Sequence, residues 1–269
     1  MVLDIQKNII YKYRTNNEYA LNILTKGELW FAEPNTFNDP FDCKMEYAIK
    51  NERQLFEKIC IRYGKPTNLI SNFNDEKLHE IILNAIKNDK TPLRVLSLSE
   101  DELNILMWSH YANNHKGFCI GFRTHKYEDV NCIKVEEGQI KYKNDVVNAK
   151  DLLPLTPVHY SDNMPKERDL TLSSDDLKSI ENFVTWKSSL WSYEKEQRIL
   201  LWNDILLKQN VPIKINKKEI AEIIFGLRMP KELKNNIIHI ASNYEIKPKI
   251  YQCEYVKGKY AITKEEINY

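Results

Sequence analysis

Glu194 and Glu196 stand one residue apart in the run LWSYEKEQRILLW, Leu190–Trp202, with Arg198 two residues further on. A strand places residues i, i+2 and i+4 on one face, so a strand here sets both carboxylates and the guanidinium in one row. The aromatic content favours a strand over a helix, which would scatter the three by ~100° per residue. On a solvated face the arginine simply relieves the glutamates. In a cleft, the carboxylates have chemistry to do. Joined by Asp39 and Asp42 they could hold Mg²⁺ for a nuclease. Lys195 alternates to the opposite face and so is poorly placed to assist such a site.

Two more strands carry polar groups in otherwise apolar surroundings. IIYKYR, residues 9–14, ends in Arg14, with Ile9, Tyr11 and Tyr13 on one face and Ile10, Lys12 and Arg14 on the other. LRVLSLS, residues 93–99, carries Ser97 and Ser99. Arginine, Ser-x-Ser and Glu-x-Glu, in that order, resemble the catalytic frame of ADP-ribosyltransferases of the Arg–Ser–Glu class. The resemblance implies NAD as substrate and cleavage through an oxocarbenium-like ribose. Glu196 would bind the ribose and stabilise its positive charge. Glu194 would orient or deprotonate the acceptor. Ser97 would hold the catalytic carboxylate, and Arg14 and Ser99 would bind the dinucleotide. No metal is required.

Other side chains fit around that frame. Asn38 lies in NTFNDPFDC, residues 35–43, a loop of turn formers that could form a lip over a nucleotide and read an amide or ribose. Trp108 and Tyr111 read as core residues that could instead stack on nicotinamide or adenine. His110, His115 and Cys119 lack the i, i+4 spacing of helical metal ligands. Cys119 sits in an apolar strand with no evident activating base.

The elements that must position these groups can be read from periodicity. Thr15–Glu18 reads as a capping box before a helix ended by Gly27. ELWFAE, from Glu28, reads as a short strand stopped by Pro34. Residues 46–92 look helical and charged, a helical insertion. Ser99–Glu102 reads as a second capping box, opening a helix that runs to His115. GFCIGF from Gly117 is a buried strand, 124–176 is irregular, and a helix is expected over 176–190. Strands follow near 211–215 and in EIAEIIF, then a helix near 230–242 and KIYQCEY as the last strand. Short elements interleave without regular βα alternation. This predicts one α+β domain over 1–269, with mixed, mainly antiparallel sheets, flanking helices and the 46–92 insertion.

A second resemblance covers more of the chain. LWFAEPNTFNDPFD, SLSE…MWSHYANNHKGFCIGF, YEKEQRI and IIFGLRM resemble successive blocks of a widespread bacterial and phage family catalogued as a domain of unknown function. The resemblance implies that 29–42, 96–122, 193–198 and 224–228 belong to one architecture. It supplies no activity, but suggests a toxin or anti-phage effector; a non-catalytic nucleotide-binding module is the other class it allows.

Composition narrows the field. Lys and Arg total 39 against 38 Asp and Glu, a net charge of +1 that gives no strong nucleic-acid signal. Seven glycines leave no GxxxxGK[ST] or GxGxxG phosphate loop. Five scattered cysteines without CxxC fit a reducing compartment. No apolar run approaches the ~20 residues of a membrane span, so a soluble, cytoplasmic protein with a nucleotide partner, an unknown acceptor and no membrane partner is expected.

Overall fold

The structure, a computed structural model, describes residues 9–43, 47–48, 51–62, 64–88, 93–136, 151–164, 168–169, 184–202 and 212–269. It divides into two compact units, one drawn from Met1–Glu33, Leu93–Val158 and Leu190–Tyr269, the other from Pro34–Pro92 and His159–Ser189.

The first unit is organised by an eight-stranded sheet: β1 (Ile9–Arg14), β2 (Leu93–Ser99), β3 (Phe118–Arg123), β4 (Thr156–Pro157), β5 (Glu196–Trp202), β6 (Ile220–Phe225), β7 (Lys249–Tyr255) and β8 (Ile262–Ile267). Their order across the sheet is β8-β7-β6-β3-β1-β2-β5-β4. All neighbours are antiparallel except β6 and β7, which run parallel with Ile223 opposite Ile250. A parallel pair needs a crossover, and α5 (Lys231–Ser242) supplies it. With helices packed on mixed, mainly antiparallel sheets, the protein is of the α+β class.

Alternation along the strands divides the apolar residues between the two faces. One face carries Ile10, Leu96, Leu98, Phe118, Ile120, Ile199 and Ile223 into a large core. Helix α1 (Glu18–Lys26) covers it with Ala20, Ile23 and Leu24, and α5 with Leu233, Ile237 and Ala241. The other face carries Tyr11, Tyr13, Cys119 and Ile224, packed by Met107 and Trp108 of α4 (Ile105–Tyr111) and by Ala112 just beyond it. Two caps differ from the expected ones. Asn17, within the expected box, caps α1 by accepting the Ala20 N–H, and Asn104 rather than Ser99 caps α4, so that helix starts later and ends sooner.

The second unit holds α2 (Glu52–Arg62) and α3 (Asp75–Asn88), which bury Leu55, Phe56, Cys60, Leu78 and Ile82 between them. It also pairs His159–Ser161 with Trp186–Ser188 in parallel. The helix expected over 176–190 is not continuous. Trp186–Ser188 is a strand and Ser189–Glu194 a 3-10 helix, while 170–183 lie outside the described residues. KIYQCEY is not the last strand, because β8 pairs with it along six residues. ELWFAE keeps only Glu28–Leu29 as a strand, plus a bridge from Ala32 to Val95.

The seam between β1 and its neighbours depends on one close approach. A Cβ on Gly117 would lie 2.1 Å from the Arg14 carbonyl oxygen and 3.0 Å from that of Ala112, both backbone atoms that cannot swing aside. Gly117→Ala should therefore destabilise the fold by roughly 1–3 kcal/mol, the range of overpacking. A urea denaturation midpoint equal to that of the wild type would show that the strand and the preceding turn are free to move apart.

Candidate functional site

Pairing brings the three polar strands side by side. Ser99 of β2 lies opposite Tyr11 of β1 on one edge and opposite Glu196 of β5 on the other. Ser97 lies opposite Arg198. Directly paired residues share a face, so Ser97, Ser99, Glu196 and Arg198 form one polar patch on the α4 side of the sheet.

At its centre is a buried ion pair. Arg198 is fully buried and Glu196 is 5 % exposed. The guanidinium donates from Nε to Glu196 Oε1 at 2.7 Å and from Nη2 to Oε2 at 3.0 Å. A two-residue spacing on a strand sets both side chains on one face, and the planar fork matches the carboxylate. This part of the expected row is present.

Glu194 is not part of that row. The strand begins only at Glu196; Glu194 ends the 3-10 helix, and Lys195 between them takes a left-handed φ of +43°. The kink re-aims Glu194, and Tyr111 of α4 donates its hydroxyl to Glu194 Oε1 at 2.5 Å. Ser99 Oγ donates to the Glu194 carbonyl at 2.6 Å, and the Asn104 amide donates to the Tyr193 carbonyl at 3.0 Å. The turn before β5 is thus fastened from β2 and from the cap of α4.

Several expected roles change accordingly. Ser99 fixes backbone rather than facing a ligand. Tyr111 uses its hydroxyl to hold a carboxylate. Trp108 is fully buried, edge-on to Tyr13 at 5.2 Å, with its indole N–H on the Glu102 carbonyl; it has no free face for a nucleotide ring. Arg14 lies on the neighbouring strand, but in the alternate row. Tyr11 shares the face of Glu196, which puts Lys12 and Arg14 in the row of Ile10. Asn38 is exposed in a turn of the second unit. In that unit Asp39 accepts the Phe41 N–H and Asp42 pairs with Lys187 at 3.4 Å. Among the described residues, no group of three or more His, Cys, Asp or Glu side chains is arranged to hold a metal ion.

Two residues went unassigned in the sequence. Asn104 is invisible without the tertiary contact. Lys12 had a signal, a second cation two residues before Arg14 in an apolar strand. Its Nζ donates to the Ser97 carbonyl at 2.7 Å. Desolvation and then the like charge of Arg14 push its pKa down to about 7, against Glu196 and Cys119, which act the other way. Burial also lowers the pKa of Arg14.

Residues 107–199 match the model of a family described as a protein of unknown function, DUF2971. The matched stretch holds most of α4, β3, the turn before β5, and the Glu196–Arg198 pair; the blocks at 29–42 and 224–228 lie outside it. No curated protein and no solved structure matches the chain. Among the described residues, no helix is long and apolar enough to cross a membrane.

The lysine gives a measurable consequence. With a folded pKa of about 7 and an ordinary value of 10.5, the unfolded chain holds a proton that the native state lacks between those limits. Stability from this group therefore rises with pH across that window. Lys12→Met should be more stable than wild type below pH 7, and the advantage should fade as pH approaches the ordinary lysine value. Denaturation at a series of pH values checks this; a difference constant with pH would mean that Lys12 keeps its ordinary pKa.

Proposed function

We propose that the protein is an ADP-ribosyltransferase-like enzyme that binds NAD and transfers ADP-ribose to an acceptor or to water. One observation carries the reading. The strands bearing Arg14, Ser97 with Ser99, and Glu196 are consecutive neighbours in one sheet. Their order in space follows the arginine, serine, glutamate order of the frame.

The chemistry then divides among the residues as follows. The C1′–N bond to nicotinamide breaks, and its electron pair leaves on the ring nitrogen. Positive charge develops on the ribose, and Glu196 stabilises it. Arg198 engages both oxygens of that carboxylate and fixes it in direction. The acceptor's lone pair then bonds to C1′, and its proton passes to Glu194, which Tyr111 holds in place. Ser99 and Asn104 are positioning residues that act through the backbone of the turn. A role as a toxin or anti-phage effector belongs to the same proposal and rests on the family resemblance alone.

A second reading has its own support. Both oxygens of Glu196 already engage Arg198, an arrangement that also suits a nucleotide-binding module without catalysis.

Labelled NAD and separation of products distinguish the two. Glu196→Gln should lower nicotinamide release by roughly 10²–10³-fold, the scale of losing one charge-stabilising group, with NAD affinity nearly unchanged. Glu194→Gln should lose transfer to a macromolecule but retain hydrolysis, since water needs less positioning. The assays belong well below the melting temperature, because Glu196→Gln also leaves Arg198 poorly compensated. Wild-type protein that binds NAD and releases no nicotinamide would support the binding module; turnover unchanged in Glu196→Gln would remove the pair from the chemistry.

A further inference from the structure

Beyond Arg123 the chain leaves the main sheet and forms a hairpin, His125–Tyr127 with Val130–Lys134, that belongs to a separate three-stranded sheet. Ile9, the first residue of β1, pairs with Arg123, so the hairpin starts beside that end of the main sheet. The hairpin is tied back at a second place. The Asn131 carbonyl accepts the Leu155 N–H at 2.8 Å, one residue before β4, and Pro157 of β4 pairs with Gln197 of β5. A cavity of about 510 Å³ remains where the hairpin and the main sheet diverge, lined by residues of both. Small-molecule sites run from roughly 300 to 1,000 Å³. Gln197 alternates to the face opposite Glu196 and Arg198, so the cavity is separate from that pair.

The lining divides by chemistry. Ile10 and Leu155 are buried, and Val130 and Pro157 carry the apolar surface out toward solvent. Glu100 and Asp129 are exposed and supply the acidic part of the lining. Among the described lining residues there is no Lys, Arg or His, and neither carboxylate forms an ion pair with a described residue. Lys195, whose carbonyl accepts the Glu100 N–H, commits its ammonium to Asp101 at 2.9 Å. Gln197 donates its amide to Glu100 Oε1 at 2.7 Å, which steadies that carboxylate and leaves the amide oxygen as a further acceptor. The cavity thus joins an apolar wall to acceptors that carry two negative charges and no positive one.

We propose that this cavity binds a free aliphatic diamine, with its ammonium groups on Glu100 and Asp129 and its methylene chain along Ile10, Val130 and Leu155. An ammonium group only donates, which suits acceptors that lack a cationic partner. A methylene stem lies well on apolar surface while its charged ends stay near water. Two carboxylates call for two ammonium groups rather than one. A metal ion would leave the apolar wall unused, and these two carboxylates belong to no metal-holding group among the described residues. The site shares no residue with the chemistry proposed at Glu196 and is tested without reference to NAD.

Isothermal titration at constant ionic strength, with cadaverine, 1-pentanol, ammonium chloride and calcium chloride as separate probes, tests this. Cadaverine should bind. Pentanol lacks the charge and ammonium lacks the stem, and each should bind at least about tenfold more weakly. Cadaverine affinity should fall as salt is raised, because the carboxylates are exposed. Glu100→Gln and Asp129→Asn should each weaken cadaverine about three- to tenfold, the scale of one hydrogen-bonded charge at an exposed site. Both are surface changes, so the variants without ligand should melt within about 2 °C of wild type. No binding of cadaverine, an affinity unchanged in the double variant, or pentanol binding as tightly as cadaverine would overturn the site. Calcium binding in place of cadaverine would overturn its assignment to an amine. Tighter binding of Nα-acetyl-lysine methylamide than of cadaverine would overturn the free diamine in favour of a lysine side chain.

Discussion

The polar part of the structure depends on a guanidinium that has been taken wholly out of water. Arg198 is fully buried on β5, and the carboxylate that compensates it is two residues away on the same strand. Burying an isolated charge is prohibitive, whereas a bidentate pair with its lone pairs engaged is tolerated. That requirement fixes the register of β5 against β2, since a one-residue slip would turn both groups toward the opposite, apolar core. It also fixes where the strand begins. Glu196 has to be on the strand, and the chain just before it is free to kink.

The kink and the neighbouring seam are what make the region more than a stable ion pair. Lys195 in a left-handed conformation turns Glu194 out of the strand row and toward Tyr111. Ser99 and Asn104 hold that turn by its carbonyl groups. On the other edge of β2 the ladder to β1 is reduced to one residue pair, and Lys12 reaches the Ser97 carbonyl there. The sheet is thus interrupted beside the buried Glu196–Arg198 pair. Strand interruptions of this kind forgo backbone hydrogen bonds, and they persist where surrounding packing over-determines them. The two cores, one on each face of the first unit, provide that packing.

Much of this was legible in the sequence, for definable reasons. The strands of Arg14, Ser97 and Glu196 were readable because period-two alternation is local. That Arg14 shares its row with Ile10 and Lys12 was equally readable, but which face Glu196 would share depends on the pairing of Tyr11 with Ser99, a contact 88 residues apart in the chain. The same limit applies to Glu194: its escape from the row depends on bonds from Ser99 and Asn104. Ser99 has the type and spacing of a helix cap, yet its hydroxyl is drawn to the Glu194 carbonyl and Asn104 caps α4 instead. Strand β8 went unread because ITKEEI is a charged edge strand with Ile262 as its one buried residue, so it lacks the apolar alternation that marks interior strands.

The claim on which the account turns is that Glu196 and Arg198 act as one unit. A double-mutant cycle measures this directly, comparing the folding free energies of Glu196→Gln, Arg198→Met and the double variant with wild type. Each single change leaves a buried partner uncompensated and should cost about 3–5 kcal/mol, while the double variant should cost clearly less than the sum of the two. Costs that add, within about 0.5 kcal/mol, would show that the two groups do not depend on one another, and the buried pair could not be what sets the site.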